Sequence, residues 1–192
     1  MDTVTRSIAS SIATKQQILD TPELLETIRR VADVMVDALL HGRRILWCGN
    51  GGSAADAQHL AAELSGRFYY DRPPLNSEAL HCNTSYLTAV ANDYGYDLIY
   101  SRMINGSCQK GDVLVGLSTS GNSKNIVNAF KKAKELGVIT VALTGETGGE
   151  MKALADYLLN VPSSDTPRIQ ECHIMLGHII CEMVEATIFP RP

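Results

Sequence analysis

Apolar positions early in the chain recur at helical spacing. Leu24, Ile28, Val31, Met35 and Leu39 step by three or four residues, which lays one stripe along about five turns over 21–41. That stretch opens on Thr21-Pro22-Glu23: a hydroxyl to cap the helix, a proline where no N–H is needed, and an early acid. Gly42 ends it. Upstream, Ile8, Ile12 and Ile18 stand among polar neighbours in a weaker repeat, which predicts another helix that needs a partner to stay ordered.

From Arg44 the pattern changes to short apolar runs bounded by glycine or polar residues: ILWCG, EALHC, DVLVGLS, VITVALTG and YLLNVP. They read as five strands. Helical stretches at 54–64, 86–91 with 96–104, 124–136 and a short 150–155 separate them. A last helix over 168–188 carries Ile169, His173, Leu176, Ile180 and Val184 at helical spacing. Strands alternating with helices predict an α/β fold: a doubly wound, five-stranded parallel sheet flanked by helices, because parallel strands need crossover connections. No repeat or low-complexity linker breaks the chain. The expectation is one domain over 1–192, with N-terminal helices over 1–41 that pack in an oligomer and an α/β sandwich over 44–192.

Composition narrows the partners. Lys+Arg 17 against Asp+Glu 21 leaves a formal charge of −4 over 192 residues, which argues against a basic nucleic-acid-binding face. No apolar run reaches the roughly 18 residues of a membrane helix, and the N-terminus lacks the apolar core of a signal peptide, so a cytoplasmic protein is expected. Five scattered cysteines (Cys48, Cys82, Cys108, Cys172, Cys181) form no CxxC pair and are expected to be small buried thiols.

The chemistry concentrates in two loops. In open α/β sheets, ligands gather where the carboxyl ends of strands lead into helices. The first such loop is Cys48-Gly49-Asn50-Gly51-Gly52-Ser53-Ala54. Gly49-x-Gly51-x-x-Ala54 satisfies the dinucleotide fingerprint, but the next strand ends His81-Cys82-Asn83-Thr84 without the acid that holds a ribose, so no nucleotide cofactor is expected. A tight glycine turn with no ligand is the plainer alternative. The second loop, Ser118-Thr119-Ser120-Gly121-Asn122-Ser123, opens a helix at Lys124. Hydroxyls and free amides at a helix N-terminus suit a phosphate dianion, and the missing Gly-Lys-Ser/Thr disfavours a nucleoside triphosphate. An ordinary serine-capped loop would look similar.

His59 and Glu63 stand at i and i+4 on the helix opened by the glycine loop, with Asp56 one turn earlier. That spacing suits two ligands on a zinc-type ion or an acid/base pair. Proximity to the glycine loop is what favours a catalytic role. The plain alternative is a surface hydrogen bond with a Glu63–Arg67 pair. On the last helix, Gln170, His173 and His178 interrupt an apolar sequence. A satisfied core histidine is the plain reading of His178. Gln170 and His178 are eight residues apart, about 12 Å along a helix, so one ion takes both only if the helix start bends or two subunits contribute.

CGNGGSAADAQHLAAELSGR, ANDYG, GDVLVGLSTSGNS, ALTGETGG and RIQECHIMLGH, in this order, resemble the phosphoheptose isomerases of the SIS sugar-isomerase family over essentially the whole chain. The resemblance implies a homotetramer with sites between subunits. It also implies conversion of D-sedoheptulose 7-phosphate to D-glycero-D-manno-heptose 7-phosphate, the first step toward heptose in lipopolysaccharide or surface glycans. Carried over by motif, Asn50, Gly51, Gly52, Ser53, Asn92 and Asp93 contact the sugar phosphate, and Ser118, Thr119, Ser120 and Ser123 hold its phosphate. His59, Glu63, Gln170 and His178 correspond to the family's zinc ligands, one ion per subunit; Glu63 and His178 correspond to its acid/base pair, with Glu63 and Gln170 also beside substrate. One departure is Pro167, where similar proteins often carry an acid before Arg-Ile-Gln; Asp165 is the nearby candidate to compensate. The alternative is a non-catalytic SIS regulator similar to DiaA, which binds the replication initiator DnaA; the tail Ile188-Phe189-Pro190 echoes that group.

Overall fold

A computed structural model describes residues 2–191. Helices α1 (Thr3–Leu19) and α2 (Pro22–Leu40) precede β1 (Ile45–Gly49), α3 (Gly52–Ser65), β2 (Ser77–Ala79), α4 (Thr84–Tyr94) and α5 (Ile99–Ser107). Then follow β3 (Val113–Ser118), α6 (Lys124–Leu136), β4 (Ile139–Thr144), β5 (Tyr157–Asn160) and α7 (Thr166–Ile188). All five strands are parallel, in the order β2-β1-β3-β4-β5, with Ile45 beside Val113 and Val113 beside Ile139.

Strand alternation builds two cores. Ile45, Trp47, Val115, Leu117 and Leu143 point to one face, where α2, α3 and α7 bury Met35, Leu60 and Leu176 against them. Leu46, Cys48, Leu114 and Ala142 point to the other, under Ile104 of α5 and Phe130 of α6. This is the doubly wound arrangement that the alternation of elements predicts.

Several boundaries shift. The run EALHC yields only a three-residue strand, because β2 stops at Ala79 and the chain turns at Leu80. The expected helix over 150–155 is a single 3-10 turn, Glu150–Ala153. Thr21 precedes α2 but does not cap it; its hydroxyl donates back to the Gln17 carbonyl at 2.7 Å, leaving Pro22 to start the helix. Cys82 is exposed and Cys108 half-buried, against the expectation that all five thiols are buried.

The packing of α3 on α7 governs the site. Gly177 faces Leu60 so closely that a Cβ there would stand 2.3 Å from Leu60 Cδ1. Gly177→Ala is expected to destabilise the protein by about 1–3 kcal/mol through overpacking, read as a lower melting temperature. An unchanged melting temperature would mean the two helices separate more freely than their contact implies.

Candidate functional site

The strand order reverses direction between β1 and β3. From β1 the chain crosses to α3 on one face; from β3 it crosses to α6 on the other, so the two loops flank a crevice at the carboxyl edge. Asn50 and Asn125 bridge that crevice with reciprocal amide hydrogen bonds of 2.9 and 2.8 Å. Tyr96 donates its hydroxyl to Asn50 Oδ1 at 3.0 Å, and the Tyr100 hydroxyl donates to the Gly49 carbonyl. Burial pushes the Tyr100 phenol well above its ordinary range. Tyr96, Tyr100 and Asn125 were not singled out from sequence. Only Asn125, just inside the serine-rich loop's helix, had a local signal.

The serine-rich loop is tied to itself. Ser118 and Ser123 hydroxyls lie 2.9 Å apart, and Ser123, the residue preceding α6, spends no side-chain bond on capping it. The Asn122 N–H donates to Ser120 Oγ, and Asn122 Oδ1 accepts from the Glu150 N–H. Gly121 has φ +67°, and a Cβ there would meet the Gly148 carbonyl oxygen at 2.1 Å, so the loop packs backbone to backbone on the next strand's exit. On the far side of this loop is a cavity of about 280 Å³ whose lining includes Thr119, Ser120, Glu146, Ser163, Ser164 and Thr166. The first turn of α7 closes it, with Pro167 where a helix start has no intrahelical use for an N–H. Asp165 precedes that turn, exposed and making no side-chain cap bond.

A second cluster gathers His59, Glu63 and His178. His59 Nε2 is 3.0 Å from Glu63 Oε1 and 3.0 Å from His178 Nε2, and the three potential ligand atoms lie within 4.8 Å of one another. Two imidazoles and a carboxylate at this separation fit a zinc-type ion, a donor set common to catalytic sites. Glu63 faces His59 rather than Arg67; among the described residues no ion pair joins Glu63 to Arg67. Phe68 flanks His178, ring centroids 5.7 Å apart. Nearby, burial raises the Asp56 carboxyl above its ordinary value, while the charges of His59 and His178 oppose the shift.

Its location departs from the expectation that His59 and Glu63 lie close to the glycine loop. They occupy the second half of α3, and Glu63 is eleven residues from Gly52, about 16 Å along the helix. α3 runs from the carboxyl edge back along the sheet, so the cluster lies further down the helix than the glycine loop that opens it.

Gln170 is not in this cluster. It lies two turns up the continuous helix α7 from His178, its amide against Gly52 and 3.5 Å from Ser53 Oγ. Neither a bend nor a frayed start of α7 brings the two together. Asn92 and Asp93, in the last turn of α4, bond to each other at the surface. The core histidine is His173 rather than His178. It is fully buried, its Nε2–H donating to the Thr144 carbonyl at 3.1 Å, and burial lowers its pKa to about 4.

Below the cluster, the segment after α3 is clamped by a buried ion pair. Glu185 takes the N–H groups of Phe68 and Tyr69 at 2.8 and 2.7 Å and Arg72 Nε at 3.0 Å. Burial alone would raise the Glu185 carboxyl; the two N–H groups and Arg72 outweigh it and hold it below the usual range. Tyr70 then donates to the Phe189 carbonyl at 2.7 Å, so the C-terminal tail is engaged within the chain.

Comparison with known proteins supplies the family. The family model for the SIS domain matches residues 8–145. A phosphoheptose isomerase of Mycobacterium tuberculosis is 54% identical over 182 residues, covering 94% of this chain and 93% of that protein. One of Aneurinibacillus thermoaerophilus is 53% identical over 188 residues, 98% of this chain and 95% of its own. The structure of phosphoheptose isomerase GmhA from Neisseria gonorrhoeae superposes with a TM-score of 0.89 at 45% identity, over 95% of this chain and 97% of that one.

Proposed function

The chain belongs to the SIS-domain family and within it to the phosphoheptose isomerases, and from that premise we propose how its residues divide the work. The reaction is an aldose–ketose isomerisation that converts sedoheptulose 7-phosphate to a heptose 7-phosphate for heptose biosynthesis. Glu63 moves a proton between C1 and C2 through a cis-enediol, and His178 manages the proton on the adjacent oxygen. The loop from Ser118 to Ser123, at the start of α6, holds the phosphate through hydroxyls, amides and the helix dipole. That hold supplies binding energy which positions the reacting carbons. Asn50 to Ser53, Asn92 and Asp93 contact the sugar.

The observation that carries the assembly is the separation of the two clusters. With bonds near 1.5 Å, C2 and the phosphorus of a heptose 7-phosphate stand less than about 10 Å apart, short of the length of α3 between Gly52 and Glu63. We therefore take the two ends of one substrate to be held by different subunits. The phosphate rests on one subunit's loop while Glu63 and His178 come from a neighbour. Gln170, beside the glycine loop, joins a neighbour's cluster by the same geometry. We take the assembly as a homotetramer in the cytoplasm, with product directed to lipopolysaccharide or surface glycan.

His59, Glu63, His178 and the neighbour's Gln170 would hold a zinc-type cation. When bound, it supplies charge stabilisation for the developing enediolate. Incubation of purified protein with sedoheptulose 7-phosphate is expected to yield heptose 7-phosphate. Chelation is expected to lower the rate about a hundredfold or more, with zinc restoring it. Full turnover in excess chelator would remove the cation from the mechanism, and no product under either condition would remove the isomerase assignment.

A further inference from the structure

We propose that the buried Arg72–Glu185 pair is a positioning device for the isomerisation, holding Glu63 and the flank of His178 in register through the segment between α3 and β2. Both side chains are essentially excluded from water, 2% and 1% exposed. The guanidinium is spread over the end of α3. Its Nη2 donates to the Glu63 carbonyl at 2.8 Å, and its Nη1 to the Leu64 and Gly66 carbonyls at 2.8 and 2.9 Å. A helix end leaves its last carbonyls without partners, and here one arginine takes up those of the turn that carries the proposed base.

Glu185 works on the same segment from α7. By accepting the Phe68 and Tyr69 N–H groups it sets the backbone from which Phe68 reaches the His178 ring. Glu185 lies seven residues after His178, two turns further along the same helix face. One salt bridge therefore joins the end of the Glu63 helix to the His178 helix. Neither group reaches substrate: Arg72 meets Glu63 only at its backbone carbonyl. An exposed ion pair contributes little, but one that is fully buried and bonded at every available atom fixes geometry.

This inference rests on Glu63 and His178 being the acid/base pair. Arg72→Lys keeps the charge and loses the planar fork that reaches four carbonyls, those of Glu63, Leu64, Gly66 and Pro73, at once. Measured as the whole assembled enzyme with sedoheptulose 7-phosphate, it is expected to lower kcat by about tenfold or more while KM stays within about twofold, because the phosphate loop is remote. The Phe68 and Tyr69 amides should exchange hydrogen faster while the melting transition stays cooperative. If the lysine variant does not fold, Glu185→Gln, which keeps the shape and one acceptor atom, carries the same expectation. A folded variant with unchanged kcat, or one whose KM rises as much as kcat falls, would show the pair to be structural only and overturn the proposal. Glu63→Gln, assayed alongside, separates the two readings: if that variant is active, the acid/base assignment fails whatever Arg72→Lys does.

Discussion

Glu63→Gln is expected to lower turnover of sedoheptulose 7-phosphate by about a hundredfold or more, the range a positioned general base contributes. The amide keeps the size of the carboxylate and can still bond His59, 3.0 Å away, so the fold should survive and circular dichroism should match the parent. What is lost is a group able to take a proton from carbon. Because Glu63 also belongs to the proposed ligand set, metal content should be measured on the same preparation. A variant that retains metal yet is slow places the loss on proton transfer. Near-normal turnover would remove Glu63 from the mechanism.

The second large effect is expected at the other end of the substrate. Ser120→Asp preserves the local turn, since a carboxylate can accept the Asn122 N–H as the hydroxyl does. It also places a negative charge where the phosphate is expected. A like charge about 4 Å from a phosphate costs several kcal/mol at intermediate dielectric, so even after discounting for the exposure of Ser120, KM should rise by about a hundredfold. Loss confined to kcat, with KM unchanged, would mean that this loop does not hold the phosphate.

The separation of those two effects could only partly be read from the chain. Helical spacing showed that His59 and Glu63 share a face, and α3 confirms it. Periodicity reports the face of a helix, and once α3 is seen to be continuous from Gly52 the residue count puts Glu63 eleven positions down it, so a shared helix with the glycine loop does not mean closeness to that loop. The two loops were legible because glycine and serine runs between a strand and a helix have few structural uses. Their bridging by Asn50, Asn125 and Tyr96 was not, since it depends on pairs 75 and 46 residues apart. Gln170 was expected to be out of reach of His178 on a straight helix, and the continuous α7 bears that out. Arg72 and Glu185 escaped notice for a related reason. A glutamate beside the apolar positions Cys181 and Val184 was a visible anomaly, but its partner sits in an irregular segment that no periodic pattern can place.

The net charge of −4 argues against a long polyanion, and it is compatible with a phosphate held by local hydroxyls and a helix dipole rather than a basic surface. The glycines acquire separate duties. Gly121 lets the serine-rich loop lie on Gly148, Gly52 leaves room for Gln170, and Gly177 brings His178's helix onto the helix of His59 and Glu63.

Subunit mixing tests the shared-site account most directly. Glu63→Gln and Ser120→Asp subunits, each expected to be nearly inactive alone at substrate below the wild-type KM, are unfolded together in equal amounts, refolded and assayed with sedoheptulose 7-phosphate at that concentration. If every site combines one subunit's acid/base cluster with its neighbour's phosphate loop, random assembly yields intact sites in about a quarter of cases, and about that fraction of wild-type activity returns. Activity that stays at the level of the separate variants, in a mixture shown to contain hybrid oligomers, would place both halves of the site in a single chain and contradict the account.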